Sequence, residues 1–334
     1  MKKLPLKKIL LLLSIVVLLP IHVSFSQLEG TAGIFSRLGF GARGMGMGNA
    51  MTAVIQNDVS GYYNPAALSF LEQRVASTSY AMLSLDRSLN TLYYAMAIER
   101  TVDSNVIVPK KFPSAGIAFG IINAGVRNID GRDNDGFHTE NYSTSENQFA
   151  LSFALRTSEK LSFGISTKIY YYSLFEKINT TSLGLDFGIL YQASQQFIIG
   201  ITFKDFLAKY KWDTSTLYGQ QGNSTTEKFP LLRTIGLTYI LPSSFGIVSA
   251  EFENSNVATS IVRAGTEIHV IDALSLRAGI DHWNLKNHKQ AAPTFGLTVR
   301  TSTFGWQQAL HYAYVVEPYG LFAMHTLSLS ASFE

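Results

Sequence analysis

From residue 73 to the carboxyl terminus, apolar and polar side chains alternate one by one, a period of two that matches an extended strand. In the last ten residues, Leu327, Leu329, Ala331 and Phe333 share one side, and Thr326, Ser328, Ser330 and Ser332 share the other. The same contrast sets Phe149, Leu151, Phe153 and Leu155 against Gln148, Ala150, Ser152 and Ala154. It also sets Leu161, Phe163, Ile165 and Ile169 against Ser162, Gly164, Ser166 and Lys168. Alternation predicts fourteen strands, over 73–83, 88–100, 113–126, 146–157, 160–173, 181–192, 196–206, 230–240, 244–253, 259–270, 273–283, 291–301, 305–316 and 322–333. Short links such as Thr157–Lys160 and Ile271–Ala273 alternate with longer ones, the longest at 127–145 and 207–229. The first hairpin departs from this rhythm, with a short link at Ser84–Arg87 and a long one at 101–112.

Composition decides what kind of sheet this is. Charged residues make up 15% of the chain, against roughly 25% in soluble domains. The polar side of the strands carries Gly, Ser and Thr rather than the many Lys and Glu of a solvated sheet. A soluble sandwich with so many half-polar strands and so few charges would have a sticky surface. No stretch after residue 26 approaches the ~20 apolar residues of a spanning helix. In lipid, strands satisfy their backbone groups only by closing on themselves. The pattern therefore predicts an all-β fold, a transmembrane antiparallel barrel of about 14 strands at 73–334, with short periplasmic turns and longer external loops. Tyr170, Tyr172, Tyr191, Trp306, Tyr312 and Tyr314, near strand ends, are expected in interfacial girdles.

Residues 1–26 have the form of a cleaved signal peptide. Lys2, Lys3, Lys7 and Lys8 precede an apolar core from Ile9 to Leu19, too short to span a bilayer, and Ser24 and Ser26 supply small residues before a cut ahead of Gln27. Removing those four lysines, which no acidic residue offsets, turns the formal charge of +3 into −1. The basic pI therefore belongs to the leader and gives no reason to expect a nucleic-acid partner. With no cysteine in the chain, disulfides, thiolate metal sites and a lipoprotein anchor are excluded.

Residues 27–72 do not alternate. Phe40 to Ala50 reads FGARGMGMGNA and Asp58 to Leu68 reads DVSGYYNPAAL. The glycines lack the Gly-Lys-Ser/Thr and the strand–turn–helix context of a phosphate loop. They permit close backbone packing instead, and Asn-Pro favours a turn, so this segment is expected to fold compactly inside a barrel mouth as a glycine-rich plug. The opening ARGMGMGNAMTAV…D…YYNPAAL resembles the start of the PorV/PorQ family, within the broader FadL-like superfamily of outer-membrane transporters. Residues 116–136, Ser145-Glu146-Asn147 and Leu276-Arg277-Ala278-Gly279 are also similar to it. The resemblance covers the whole chain after the leader. It implies a fourteen-stranded barrel, an amino-terminal plug and a plug motif at Asn64, Pro65 and Ala66. It also implies one of two roles: binding secreted proteins or surface-attachment components in type IX secretion, or uptake of fatty acids or other hydrophobic small molecules.

The remaining candidates are weighed by register. Lys168, Asp186, Lys204, Arg263, Glu267, Arg277, Asp281 and Arg300 fall on polar strand faces and are expected in the lumen, since a charge facing lipid at mid-depth costs roughly 2–4 kcal/mol. Arg263 and Glu267 share a strand face, as do Arg277 and Asp281 on the next strand, so a compensated network is expected. An arginine replacing lumenal Ser275 should be tolerated far better than one replacing Ile165. Arg233 falls in phase with Leu231 and Ile235, which suits an interfacial position alone. Phe137, Trp212, Tyr218 and Trp283 are expected in external loops that would meet a hydrophobic solute or a protein. Asp130 to Gly136 has an EF-hand flavour but lacks the distant Glu, so no metal is expected. The histidines form no catalytic constellation, and neither an enzyme nor a cofactor is expected. The leading expectation is a secretion partner at the outer membrane of a Gram-negative bacterium, in contact with outer-membrane lipid; the alternative is a channel for hydrophobic compounds.

Overall fold

The structure is a computed structural model that describes residues 30–55, 58–98, 115–175, 177–257, 259–284, 291–303, 305–316 and 323–333. The expected signal peptide at 1–26 and the 101–112 link lie outside the described residues. The first seven strands are β1 (Arg74–Met82), β2 (Arg87–Ile98), β3 (Ala115–Arg132), β4 (His138–Arg156), β5 (Leu161–Phe175), β6 (Ile178–Gln192) and β7 (Phe197–Phe206). A separate two-stranded ribbon follows, made of β8 (Lys209–Asp213) and β9 (Ser224–Lys228). The sheet resumes with β10 (Leu232–Ile240), β11 (Gly246–Ser255), β12 (Ser260–Ile271), β13 (Leu274–Asn284), β14 (Ala292–Thr303), β15 (Trp306–Val315) and β16 (Met324–Phe333). Each strand pairs antiparallel with its neighbours, and β1 pairs with β16 along its full length, from Arg74 opposite Phe333 to Met82 opposite His325. The result is a closed fourteen-stranded barrel, an architecture of outer-membrane proteins.

Alternation sets which way each side chain points. Leu151, Phe153, Ile165, Leu183, Leu276, Phe295 and Leu329 are exposed on the outer wall, whereas Ser152, Ser166, Thr234, Ser249, Thr298 and Ser328 are buried on the inner one. Strand ends depart from the sequence expectation in two places. The expected 127–145 loop is largely sheet, because β3 and β4 continue past the apolar band to a five-residue turn after Arg132. The expected 207–229 loop contains the β8–β9 ribbon, whose Lys209 and Lys211 backbone amides donate to inward-facing Ser182 and Thr180 of β6, so the ribbon leans across the barrel mouth. The first hairpin is tight: Leu83 N donates to Arg87 O across a three-residue turn in which Leu85 and Asp86 both adopt positive φ.

Inside the sheet lies the amino-terminal segment, wound as short helical turns at Ile34–Arg37, Gly41–Gly46, Ser60–Tyr63 and Pro65–Phe70. Most of it is buried: Phe40, Ala42, Met45, Met47, Met51 and Leu68 are fully inaccessible. Ala42 N donates to Ser328 Oγ at 2.7 Å on β16, Thr294 Oγ1 on β14 donates to Gly46 O at 3.1 Å, and Ser162 Oγ on β5 donates to Ala66 O at 2.9 Å. The segment is thus fastened to opposite walls. Helical turns suit it because a strand here would need sheet partners that the closed barrel has already used.

Two wall positions yield a prediction about the register. Ile165→Arg, on the outer face of β5, is expected to destabilise the barrel by roughly 2–4 kcal/mol, whereas Asn179→Arg, outward at the far end of β6, should cost about 0–1. Reversible denaturation in lipid vesicles checks this, and equal penalties would refute the assigned depth. Ser275 is a poor lumenal control, contrary to the expectation above. It is fully buried between His269 and Arg300, so its inward face offers no room for an added arginine.

Candidate functional site

The candidate site is the contact surface between the amino-terminal segment and the inner wall. Glycines on the wall create it. A Cβ on Gly188 would sit 2.1 Å from Asn64 Oδ1, one on Gly164 2.3 Å from Ala66 N, one on Gly200 2.2 Å from Thr52 O, and one on Gly265 2.2 Å from Met47 O. These wall glycines come in cross-strand pairs: Gly164 opposite Gly188, Gly200 opposite Gly236, and Gly265 opposite Gly279. Each pair lowers the wall by two side chains at one level, and the segment's backbone fills the gap.

Asn64 organises one side of this contact. Its Nδ2 donates to Thr52 O at 2.8 Å within the segment and to Ile189 O at 3.2 Å on β6, while its Oδ1 accepts from Ala66 N at 3.1 Å. It therefore caps the turn that Pro65 begins, with Ala66 and Ala67 fully buried behind it. Tyr63 organises the centre. Its hydroxyl donates to Asn49 Oδ1 at 2.6 Å and accepts from Phe40 N at 2.8 Å. Burial pushes the Tyr63 phenol well above its usual range, and that of Tyr62 up to about 12, so both keep their protons.

Lys168, Asp186, Lys204, Arg263, Glu267, Arg277, Asp281 and Arg300 point into the barrel, and six of them join charged networks. In the first, Glu267 on β12 accepts from Arg277 on β13, directly opposite, and from Arg43 of the segment, whose Nε and Nη2 approach at 2.9 and 3.2 Å. In the same strand pair, Arg263 Nε lies 2.6 Å from Asp281, and its Nη1 reaches Glu251 at 3.0 Å and Glu253 at 3.1 Å. Asp281 also accepts from Asn49 Nδ2 at 2.6 Å, and Glu251 from Thr52 N at 3.1 Å, so the wall network grips the segment twice more. In the second network, Lys168 lies between Asp186 at 2.6 Å and Asp205 at 3.4 Å, and Asp205 also accepts from the Tyr170 hydroxyl at 2.6 Å. Lys204 places its ammonium 6.0 Å from the Tyr62 ring centre and 5.7 Å from that of Tyr63. Arg300 donates to Ser275.

Several aromatic and loop positions differ from expectation. Tyr170 is fully buried rather than in a girdle, because it is in phase with lumenal Lys168. Tyr172 likewise turns inward, onto Tyr210 and Trp212 of β8. Trp212 is half-buried in that cluster and not free in a loop, and Trp283 lies on β13. Phe137 at 71% and Tyr218 at 64% are the most exposed members of the expected loop set, and strand-borne Trp283 is exposed too. Arg233 faces outward as the second residue of β10, away from mid-depth. Asp133 caps its own turn, accepting from the Asp135 and Phe137 amides at 3.0 and 2.8 Å. No metal-holding group of His, Cys, Asp or Glu occurs among the described residues.

Sequence reasoning missed Arg43, Asn49, Asp205, Glu251 and Glu253. Two of them carried a signal: Glu251 and Glu253 are in phase with Ser249. Arg43 was hidden in the glycine run. Asp205 is turned inward by a register break between β6 and β7, with φ of 63° at that residue, which simple alternation does not foresee. The shared carboxylate yields a prediction: Glu267→Gln leaves Arg43 and Arg277 buried without their counter-charge and should cost about 3–5 kcal/mol. The accompanying loss of segment docking should appear as faster amide exchange at residues 41–46.

No family model matches the chain, and no curated protein matches it. Solved structures do. The toluene transporter TodX of Pseudomonas putida superposes with a TM-score of 0.58 at 13% identity, over 88% of this chain and 96% of that one. A FadL homologue from Pseudomonas aeruginosa gives 0.59 at 12% identity, over 88% and 98%. The chain therefore shares the barrel fold of these two proteins.

Proposed function

We propose that the protein is a non-enzymatic outer-membrane channel that admits a hydrophobic small molecule, with residues 27–72 as its plug and gate. The observation that carries this reading is the way the segment is held. It is seated by hydrogen bonds, ion pairs and contacts over wall glycines, and none of its turns is a strand of the barrel. Such contacts can be exchanged without breaking the sheet. The fold shared with a toluene transporter supports the same reading, as does the apolar outer wall for residence in a membrane. Asn64, Pro65 and Ala66 would then act as the segment's hinge point on β6, and the lumenal charges would set its closed position. No cofactor is needed for passage.

A second reading, a partner for secreted proteins or surface-attachment components in type IX secretion, draws on the loop end. There the β8–β9 ribbon and exposed Tyr218 and Phe137 offer a platform for a protein. Co-purification of secreted proteins in stoichiometric amount, from mild-detergent extracts, would favour it.

The channel reading is tested by locking the segment. A Cβ on Gly236 would lie 3.0 Å from Thr52 Cβ, a little inside the ~3.5–4.5 Å of a disulfide, and the chain has no cysteine of its own to interfere. The double variant Thr52→Cys/Gly236→Cys is therefore expected to cross-link. In a Gram-negative host lacking its own channel for long-chain acids, expression of the wild type should raise uptake of labelled oleate or toluene. Uptake by the oxidised double variant should fall to the empty-vector level and return on reduction. Undiminished uptake through a verified cross-link would remove the gate from this reading.

A further inference from the structure

Beneath the segment, at the end of the barrel where β16 terminates, the lumen holds a polar chamber of about 350 Å³. Its wall includes Arg43 of the segment, Glu267 and His269 of β12, Arg300 of β14, His311 of β15, and Ser330 and Ser332 of β16, with Asp58 on the segment side. Charge here is unevenly matched. Arg43 and Arg277 share the carboxylate of Glu267, and the second carboxylate, Asp58, stands apart beside His311, 3.9 Å from its Nε2. Arg300 uses one nitrogen on the Ser275 hydroxyl, and its other guanidinium nitrogens have no partner among the described residues. The Ser275 hydroxyl accepts from Arg300, which can only donate, and His269 Nδ1 lies 2.8 Å from the same oxygen. His311 lies 2.7 Å from Thr298 Oγ1 and 2.8 Å from Ser330 Oγ. The chamber's wall thus presents two guanidiniums, Arg43 and Arg300, and two carboxylates, Glu267 and Asp58, with buried Arg277 behind Glu267 adding a third positive charge and ordered hydroxyls around them.

We propose that this chamber is a binding site for an oxyanion, with Arg300 as its principal donor. A guanidinium with unused donors in a confined polar space favours a planar or tetrahedral oxyanion, because charge-assisted bonds form there without first displacing a protein partner. The hydroxyls of Ser330 and Ser332 lie two strands along the same wall, Ser330 level with Arg300 across Ala309, and suit the remaining oxygens. The anion is either a free ion or the headgroup of an amphipathic solute leaving the lumen. The site stands on the chamber itself and goes beyond the channel reading.

The test uses full-length protein in phosphatidylcholine nanodiscs, with binding followed by calorimetry. Inorganic phosphate is expected to bind saturably. Arg300→Gln should weaken it by about tenfold or more, as loss of a charge-assisted hydrogen bond implies. Ser332→Trp, which fills the chamber without touching a charge, should weaken it as well and serves as the second variant if Arg300→Gln folds poorly. Dodecyl phosphate binding more tightly than phosphate would identify a headgroup, and equal affinities a free ion; either supports the site. Absence of saturable binding by both probes, affinities unchanged in both variants, or dodecanol matching dodecyl phosphate would overturn it. Failure of solute uptake alongside intact phosphate binding would count against the channel reading alone.

Discussion

Everything in this molecule follows from closing the sheet. A strand in hydrocarbon has no water to satisfy its amides and carbonyls, and the pairing of β1 with β16 removes the two edges that the barrel sheet would otherwise keep. Closure then divides the side chains by parity. One set must be apolar enough for lipid, and the other set has a space in which polarity carries no such penalty. Lys168, Arg263, Glu267 and Asp281 can exist at these depths because the second set faces inward and its members meet opposite charges within a few ångströms.

The same closure makes the interior a site. A barrel of this size has to be filled or left wet, and here the amino-terminal segment does most of the filling. Its docking reconciles two opposed requirements. Cross-strand glycine pairs bring backbone against backbone, which buries area closely, while the ion pairs at Arg43 and the hydrogen bonds at Asn49, Thr52 and Asn64 give the position direction. Burying Glu267 costs solvation that two guanidiniums must offset, so the seated position is specified more sharply than apolar packing alone would specify it.

The barrel was legible in the chain because its signal is local and repeated. Leu327 and Ser328 declare their faces by being neighbours, and fourteen such stretches leave little freedom in strand number. Lumenal charges were legible for the same reason, since Arg277 and Asp281 are in phase with Ser275. The gripping side of the site was not. Arg43 meets Glu267 across more than two hundred residues, and no periodicity within 27–72 announces which turn faces which strand. Tyr170 failed for a different reason: a strand-end aromatic suits a girdle by composition, and only parity with Lys168 assigns it inward. Asp205 required knowledge of a register break, a feature of pairing and not of pattern. The wall glycines lie between these cases. They were visible as polar-side residues, but their pairing across strands depends on register, which composition does not set.

The bond from Ala42 to Ser328 joins residues 286 positions apart, almost the two ends of the described chain. Contacts of such sequence separation make folding slow, because the entropy of a long loop is spent before the contact forms. The segment is synthesised before every strand it touches, yet its seat on β14 and β16 exists only once the last hairpin arrives. Its order of assembly is therefore reversed from its order of synthesis. The first part made is the last to find all of its neighbours, and closing the seam between β1 and β16 also closes the lumen around it.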